Sequence, residues 1–235
     1  MPMDRMWLWT RLVSGPVMTR RDRSRLASGS TLLGLLLGLV MVGFSLASVA
    51  ASPSSALPAS AAQVDGHRIG NPDAKVQIVM YYDLQCSHCQ GLYYGVEGQL
   101  IQRYVATGKA RLDARPLDFL GPASLKAATA LMAATDQGRY WDYLGALWGA
   151  FRASGPGAYT DDSLKALASR VGLDRGRFDA AFASPEKAAE VKAFGDQAKA
   201  QGVKAVPYTL INGRLVEGDQ PLDVFVKMID EELAK

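Results

Sequence analysis

The chain has 235 residues and two cysteines, and the cysteines stand three residues apart in Cys86-Ser87-His88-Cys89. The apolar run Val76–Tyr82 comes directly before them. A strand that delivers a Cys-x-x-Cys to the first turn of a helix makes a redox-active dithiol. The helix N-terminus carries unpaired N–H groups and partial positive charge, which stabilise a thiolate. Positions i and i+3 share a helix face, so a Cys86–Cys89 disulfide can close without unwinding the helix. Three chemistries stay open for this pair: oxidant, reductant or metal ligand.

The elements that must hold the pair are readable around it. Lys75–Tyr82 reads as a buried strand, and Asp83-Leu84-Gln85 as the turn into a helix from Cys89 to about Thr107, stopped by Gly108. Ala110–Pro116 reads as a second strand. A long helical tract follows. Ser124 is expected to cap Leu125–Gln137, Thr160 to cap Asp161–Val171, and Asp174 to cap a short helix; Ser184-Pro185 opens another that runs to Gly202. Trp141, Trp148, Phe178 and Phe182 recur at helical spacing and read as core. Tyr208–Ile211 and Leu215–Glu217 flank Asn212-Gly213, a hairpin signature of the type I′ turn. Asp219–Pro221 opens a last helix through Leu233. The order is an α/β one, with a sheet covered by helices on both faces.

The N-terminus is a separate matter. Residues 1–25 hold six arginines and two aspartates, and 26–64 carry no charge. Residues 1–31 therefore read as a basic cytoplasmic n-region. Residues 32–51 read as an apolar signal peptide or membrane anchor, with small-residue sites at Ser48-Val49-Ala50 and Ala59-Ser60-Ala61. Translation starts at Met1 or at Met18. Residues 52–66 read as a Pro/Ser/Ala tether and 67–235 as the folded domain, with His67 on its surface. The net charge of +3 belongs to the leader. Without residues 1–61 basic and acidic residues nearly balance, so charge gives no argument for nucleic acid as a partner. Two cysteines are too few for a disulfide scaffold, which in an exported chain leaves a catalytic pair.

Three stretches give a family resemblance. Gly70-Asn71-Pro72-Asp73-Ala74-Lys75-Val76 leads into Tyr82-Asp83-Leu84-Gln85-Cys86-Ser87-His88-Cys89. Gln137-Gly138-Arg139-Tyr140-Trp141-Asp142-Tyr143 looks like a helical insertion. Gly202-Val203-Lys204-Ala205-Val206-Pro207-Tyr208 with Ile211-Asn212-Gly213 looks like a proline loop and hairpin. Together, over roughly 68–234, they resemble the DsbA-like thiol–disulfide oxidoreductases of the thioredoxin-fold superfamily. The resemblance implies a thioredoxin fold with a helical insertion between the second and third core strands (about 122–200), and a signal or anchor helix outside the domain. One departure stands out: Ser87 sits where the family most often has proline.

Carried over to this chain, the resemblance implies a disulfide oxidoreductase without a cofactor. Cys86 is expected as the exposed nucleophile and Cys89 as the deeper, resolving thiol. His88 is expected to stabilise the Cys86 thiolate, or else to be a solvated neighbour. Pro207 is expected to be cis in a loop facing the dithiol, turning the Val206 backbone outward to pair with an extended substrate. Asp83 is either a buried proton acceptor for Cys89 or a turn residue capping the helix. The implied partners are unfolded or reduced exported proteins and a membrane quinone-linked thiol oxidase for reoxidation. The implied site of action is the periplasm or the extracytoplasmic face of the membrane, with anchoring through 32–51 if that segment is uncleaved. A monomer is expected, because 62–72 leave no room for a dimerisation domain. Two alternatives stand beside this: a membrane-fed reductase or isomerase, and a copper-binding or delivery module using Cys86, His88 and Cys89.

Overall fold

The computed structural model describes residues 63–235. The expectations for 1–31, for the apolar segment 32–51 and for most of the tether fall outside the described residues. Among those described, no helix is long and apolar enough to cross a membrane.

Alternation of side chains sets up the sheet. In β3 (Val76–Tyr82), Val76, Ile78 and Met80 are buried toward one face, while Val79 and Tyr81 pack toward the other. A strand covered on both faces must be apolar on both. β3 is central: it pairs in parallel with β4 (Ala110–Pro116) and antiparallel with β5 (Tyr208–Ile211). β5 continues antiparallel into β6 (Arg214–Glu217). On the far side β4 pairs with β2 (Arg68–Gly70), and β2 with β1 (Val64–Asp65). The sheet order is β1-β2-β4-β3-β5-β6. The sheet therefore begins at Val64, inside the stretch expected as tether and before the domain start expected at residue 67.

One face is covered by α1 (87–105) and α7 (Leu222–Ala234), through Leu92, Val96, Leu100, Phe225 and Ile229. The other is covered by α2 (Pro122–Thr135), α3 (Tyr140–Ser154), α4 (Asp161–Arg170), α5 (Arg175–Ala183) and α6 (Pro185–Ala200). These five lie between β4 and β5, which is the expected insertion between the second and third core strands. Thr160, Asp174 and Ser184 cap their helices as expected, each accepting a backbone N–H. Asn212 and Gly213 both have positive φ, 48° and 81°, as a type I′ hairpin turn needs. Gly70 (φ 118°) leaves no room for a side chain, since a Cβ there would lie 2.7 Å from the Ala110 carbonyl oxygen.

Three local expectations are corrected. Ser124 does not cap α2; Gly121 and Pro122 start that helix, with no side-chain cap, and the Ser124 hydroxyl turns to Asp83 instead. His67 is not a surface residue: its side chain is 14% exposed, lies edge-on to Phe194 and contacts Asp113 at 3.3 Å. Trp148 and Phe178 are buried, but Trp141 and Phe182 are only partly so.

Asp113 also takes two N–H bonds from Arg115, whose other donors reach Tyr81 and Gln197. This ties β4 to β3 and α6. Burial alone would raise the Asp113 carboxyl, but His67 and Arg115 outweigh it and hold it well below the ordinary range. A depressed carboxyl contributes stability above its unfolded value near 3.8, and that contribution is lost on acidification. Asp113→Ala strands a half-buried guanidinium, so urea unfolding at pH 7 should show a loss of about 3 kcal/mol.

Candidate active site

Cys86 is the N-cap residue of α1, in extended conformation. Its amide donates to the Asp83 carbonyl at 3.0 Å, closing the turn 83–86, and its carbonyl accepts from Gln90 at 3.0 Å. From this place its sulfur meets the free N–H groups of the first turn: Cys89 N–H donates to Cys86 Sγ at 3.3 Å. No acidic residue occupies that first turn to offset the helix dipole. Both cysteines are free thiols, and Cys86, expected to be exposed, is buried at 8% exposure beside the Val206 loop, with Cys89 deeper at 2%.

The two thiols differ strongly. Cys86 is lowered to about 6; the Cys89 thiol hydrogen bond contributes most, the N–H groups of Cys89 and His88 add to it, and so does the His88 charge, while burial opposes them. Cys89 is pushed far up, first by burial and then by the neighbouring Cys86 sulfur and the Asp83 charge. His88 and Ser87 are exposed at the helix start.

Val206–Pro207 is a cis bond. This loop does face the dithiol, since Cys86 Sγ donates to the Val206 carbonyl at 3.6 Å. The Pro207 carbonyl accepts from Gly218 N–H at 2.9 Å, which fixes the loop to the end of the β5–β6 hairpin. So the structure brings Cys86, Cys89, His88, Val206 and Pro207 to one place, at the C-terminal end of β3.

Asp83 is wholly buried beneath them. One carboxylate oxygen accepts from Gln85 N–H and from the Ser124 hydroxyl, both at 2.8 Å. The other accepts from Leu120 N–H at 2.8 Å. Gln85 Nε2 donates to Ser124 Oγ at 2.8 Å and closes the network. The Asp83 side chain thus neither caps α1 nor bonds a thiol. It binds the turn before Cys86 to the loop after β4, where Phe119 and Leu120 are exposed. From the other side, the Tyr159 hydroxyl donates to the Leu84 carbonyl at 2.9 Å.

Sequence reasoning missed Ser124, Gln85 and Tyr159, because partners 39 to 75 residues away leave no local signal. It also missed Glu97. This residue lies in a π-helical stretch of α1, Tyr93–Glu97, and is 6% exposed. Burial pushes its carboxyl up to about 8. Neither Glu97 Oε1 nor Trp141 Nε1 has a partner. Among the described residues no three His, Cys, Asp or Glu side chains are placed to hold a metal ion. In particular, exposed His88 and buried Cys89 do not join Cys86 in the ligand set that the copper reading requires.

A family model described as Thioredoxin matches residues 62–231. The probable disulfide bond formation protein D of Bacillus anthracis is 26% identical over 171 residues, covering 71% of this chain and 78% of that protein. A thioredoxin-like oxidoreductase from Silicibacter pomeroyi has a similar structure, with TM-score 0.62, 25% identity, and coverage of 79% of this chain and 99% of that one. So has a thiol-disulfide exchange protein from Wolbachia pipientis, with TM-score 0.60, 25% identity, and coverage of 70% and 85%.

Proposed function

Because the chain belongs to the thioredoxin family, as a DsbA-like thiol–disulfide oxidoreductase, we propose that it works as a dithiol oxidase. It passes the Cys86–Cys89 disulfide to reduced, unfolded exported proteins. A substrate thiolate attacks the Cys86 sulfur, and Cys89 leaves and takes up a proton. A second substrate thiolate then attacks the substrate's own sulfur in the mixed disulfide and displaces the Cys86 thiolate. The substrate loses two electrons and two protons, and the dithiol is left reduced.

The observation that carries the direction is the lowered Cys86 thiol. A stabilised thiolate favours the reduced pair and is a good leaving group, so the disulfide is readily given away. His88 supports this with its charge. The Val206 backbone, beside Cys86 Sγ, is the partner for an extended substrate chain, with Pro207 holding it in place. Reoxidation falls to a membrane quinone-linked thiol oxidase. The basic and then apolar N-terminus supports action outside the cytoplasm.

Two measurements test the reading. Alkylation of Cys86 against pH should show a midpoint near 6. The oxidised protein should also restore activity to a reduced, unfolded disulfide-containing enzyme in stoichiometric amounts. Failure to oxidise that substrate, together with equilibrium against glutathione at a potential near thioredoxin's, about −270 mV, would replace the oxidase reading with a reductase.

A further inference from the structure

A charge that thiol exchange does not use stands one hydrogen bond away from the loop facing the dithiol. The Pro207 carbonyl accepts from Gly218 N–H at 2.9 Å, so Gly218 lies beside the cis bond and Asp219 follows directly. From there the Asp219 side chain reaches α1. It lies against Gly91, where a Cβ would come within 2.4 Å of Oδ2 and 3.3 Å of Cγ. Gly91 stands inside the helix without a positive φ, so its backbone conformation does not call for glycine. Glycine weakens a helix interior. What it supplies here is room: a seat for a carboxylate two residues past Cys89.

Asp219 is exposed. Arg214, the cation of the β5–β6 hairpin, pairs with Glu231 and Glu232 instead. His88 shares the Gly91 face of α1 one turn earlier. Among the described residues neither it nor any other cation forms an ion pair with Asp219. An unpaired carboxylate is thus fixed at the rim of the exchange site from two sides, by the cis-proline loop and by α1.

We propose that Asp219 is a specificity-determining residue: its carboxylate receives a substrate Lys or Arg two or three residues from the cysteine that reacts at Cys86. The inference rests on the dithiol oxidase reading and names the substrates it favours, reduced chains with a cation near the reacting cysteine. The dimensions fit. Cys86 and Gly91 are five positions apart, about 7.5 Å along a helix axis. An extended chain advances about 3.3 Å per residue. A substrate joined to the Cys86 sulfur and paired with the Val206 backbone therefore brings its second or third neighbour level with Asp219. The long stem of Lys or Arg covers the remaining sideways reach. An exposed ion pair is weak and screened by salt, and a rim charge acts mainly on encounter. The effect is a bias among substrates.

The test follows the exchange already described, in which a substrate thiolate attacks Cys86 and Cys89 leaves and takes up a proton. Oxidised protein is mixed with reduced two-cysteine peptides that carry Lys or Glu two and three residues outside each cysteine. Acid quenching and mass analysis give the rate at which the protein loses its disulfide. Each rate is divided by that with dithiothreitol, an uncharged dithiol, which corrects for any change in the pair itself. The Lys-to-Glu rate ratio at low salt should fall about threefold in Asp219→Asn and about tenfold in Asp219→Lys. In about 0.5 M sodium chloride these differences should shrink toward parity. Gly91→Ala keeps the charge but takes its seat, and should lower the ratio too. An unchanged ratio in Asp219→Asn or in Gly91→Ala overturns the proposal. So does a fall in Asp219→Asn that Asp219→Lys does not deepen, the mark of a merely structural role. Protein inert toward both peptides and dithiothreitol would instead sink the oxidase reading.

Discussion

Cys86→Ser should abolish oxidation of a reduced protein substrate, with a loss of about a thousandfold or more, because no covalent intermediate can form. Cys89→Ser should behave differently. Its Cys86 thiolate still attacks a disulfide, but the adduct cannot be resolved from within, so one equivalent of mixed disulfide should accumulate and stay. Non-reducing electrophoresis after acid quenching separates the two outcomes. Equal activity in Cys86→Ser and the unsubstituted protein would remove Cys86 as nucleophile. The magnitudes follow from the thiols. At pH 7 a thiol lowered to about 6 from 9.0 goes from about 1% to about 90% ionised. The reduced form then gains about 1.4 kcal/mol, or about 30 mV, at neutral pH. The full shift, about 4 kcal/mol, is expressed only above pH 9.

Glu97→Gln is expected to stabilise the protein at alkaline pH by about 5 kcal/mol and to change little at pH 4. The sign follows from burial. Unfolded, the Glu97 carboxyl ionises near 4.5; folded, it keeps its proton to about 8. The protonated fold is fully favoured below the unfolded value, and that advantage drains away as pH rises through 8. A difference of 3.5 units is worth about 5 kcal/mol. Glutamine stays neutral throughout and can offer its amide to the same pocket. Cys86 works in the opposite direction between about 6 and 9, where its lowered thiol adds stability with rising pH. The comparison must therefore be made between Glu97→Gln and the parent protein at each pH. Urea midpoints at pH 5 and pH 9 suffice, and an equal shift at both would rule out a buried neutral carboxyl as the cause.

The two groups differ in how they show in the sequence. The dithiol, its strand and the Val206–Pro207 loop each lie within a short stretch of residue types with strong local preferences, so the fold and the heart of the site were legible. Thr160, Asp174 and Ser184 were readable as caps because a cap bonds its own next turn. Ser124 was misread because its hydroxyl serves a carboxylate 41 residues earlier. His67 was misread because what buries it, Phe194 and Asp113, comes much later in the chain. Glu97 drew no reading from the sequence; it lies in a π-helical stretch, which alters which side chains point inward, and no composition rule reports that.

The site also has a history in time. Cys86 and the Val206 carbonyl that it touches are 120 residues apart, and synthesis runs from the N-terminus. At about 5–20 residues per second, the dithiol is made about 6–24 seconds before the loop that covers it. Until β5 arrives, one edge of β3 lies open and the pair sits at the end of an unfinished sheet. The donors that lower the Cys86 thiol all lie within residues 86–89, so they are made together with it. What the nascent pair lacks is the Val206 carbonyl, and a ribosome stalled in that interval would display the dithiol without the loop that faces it.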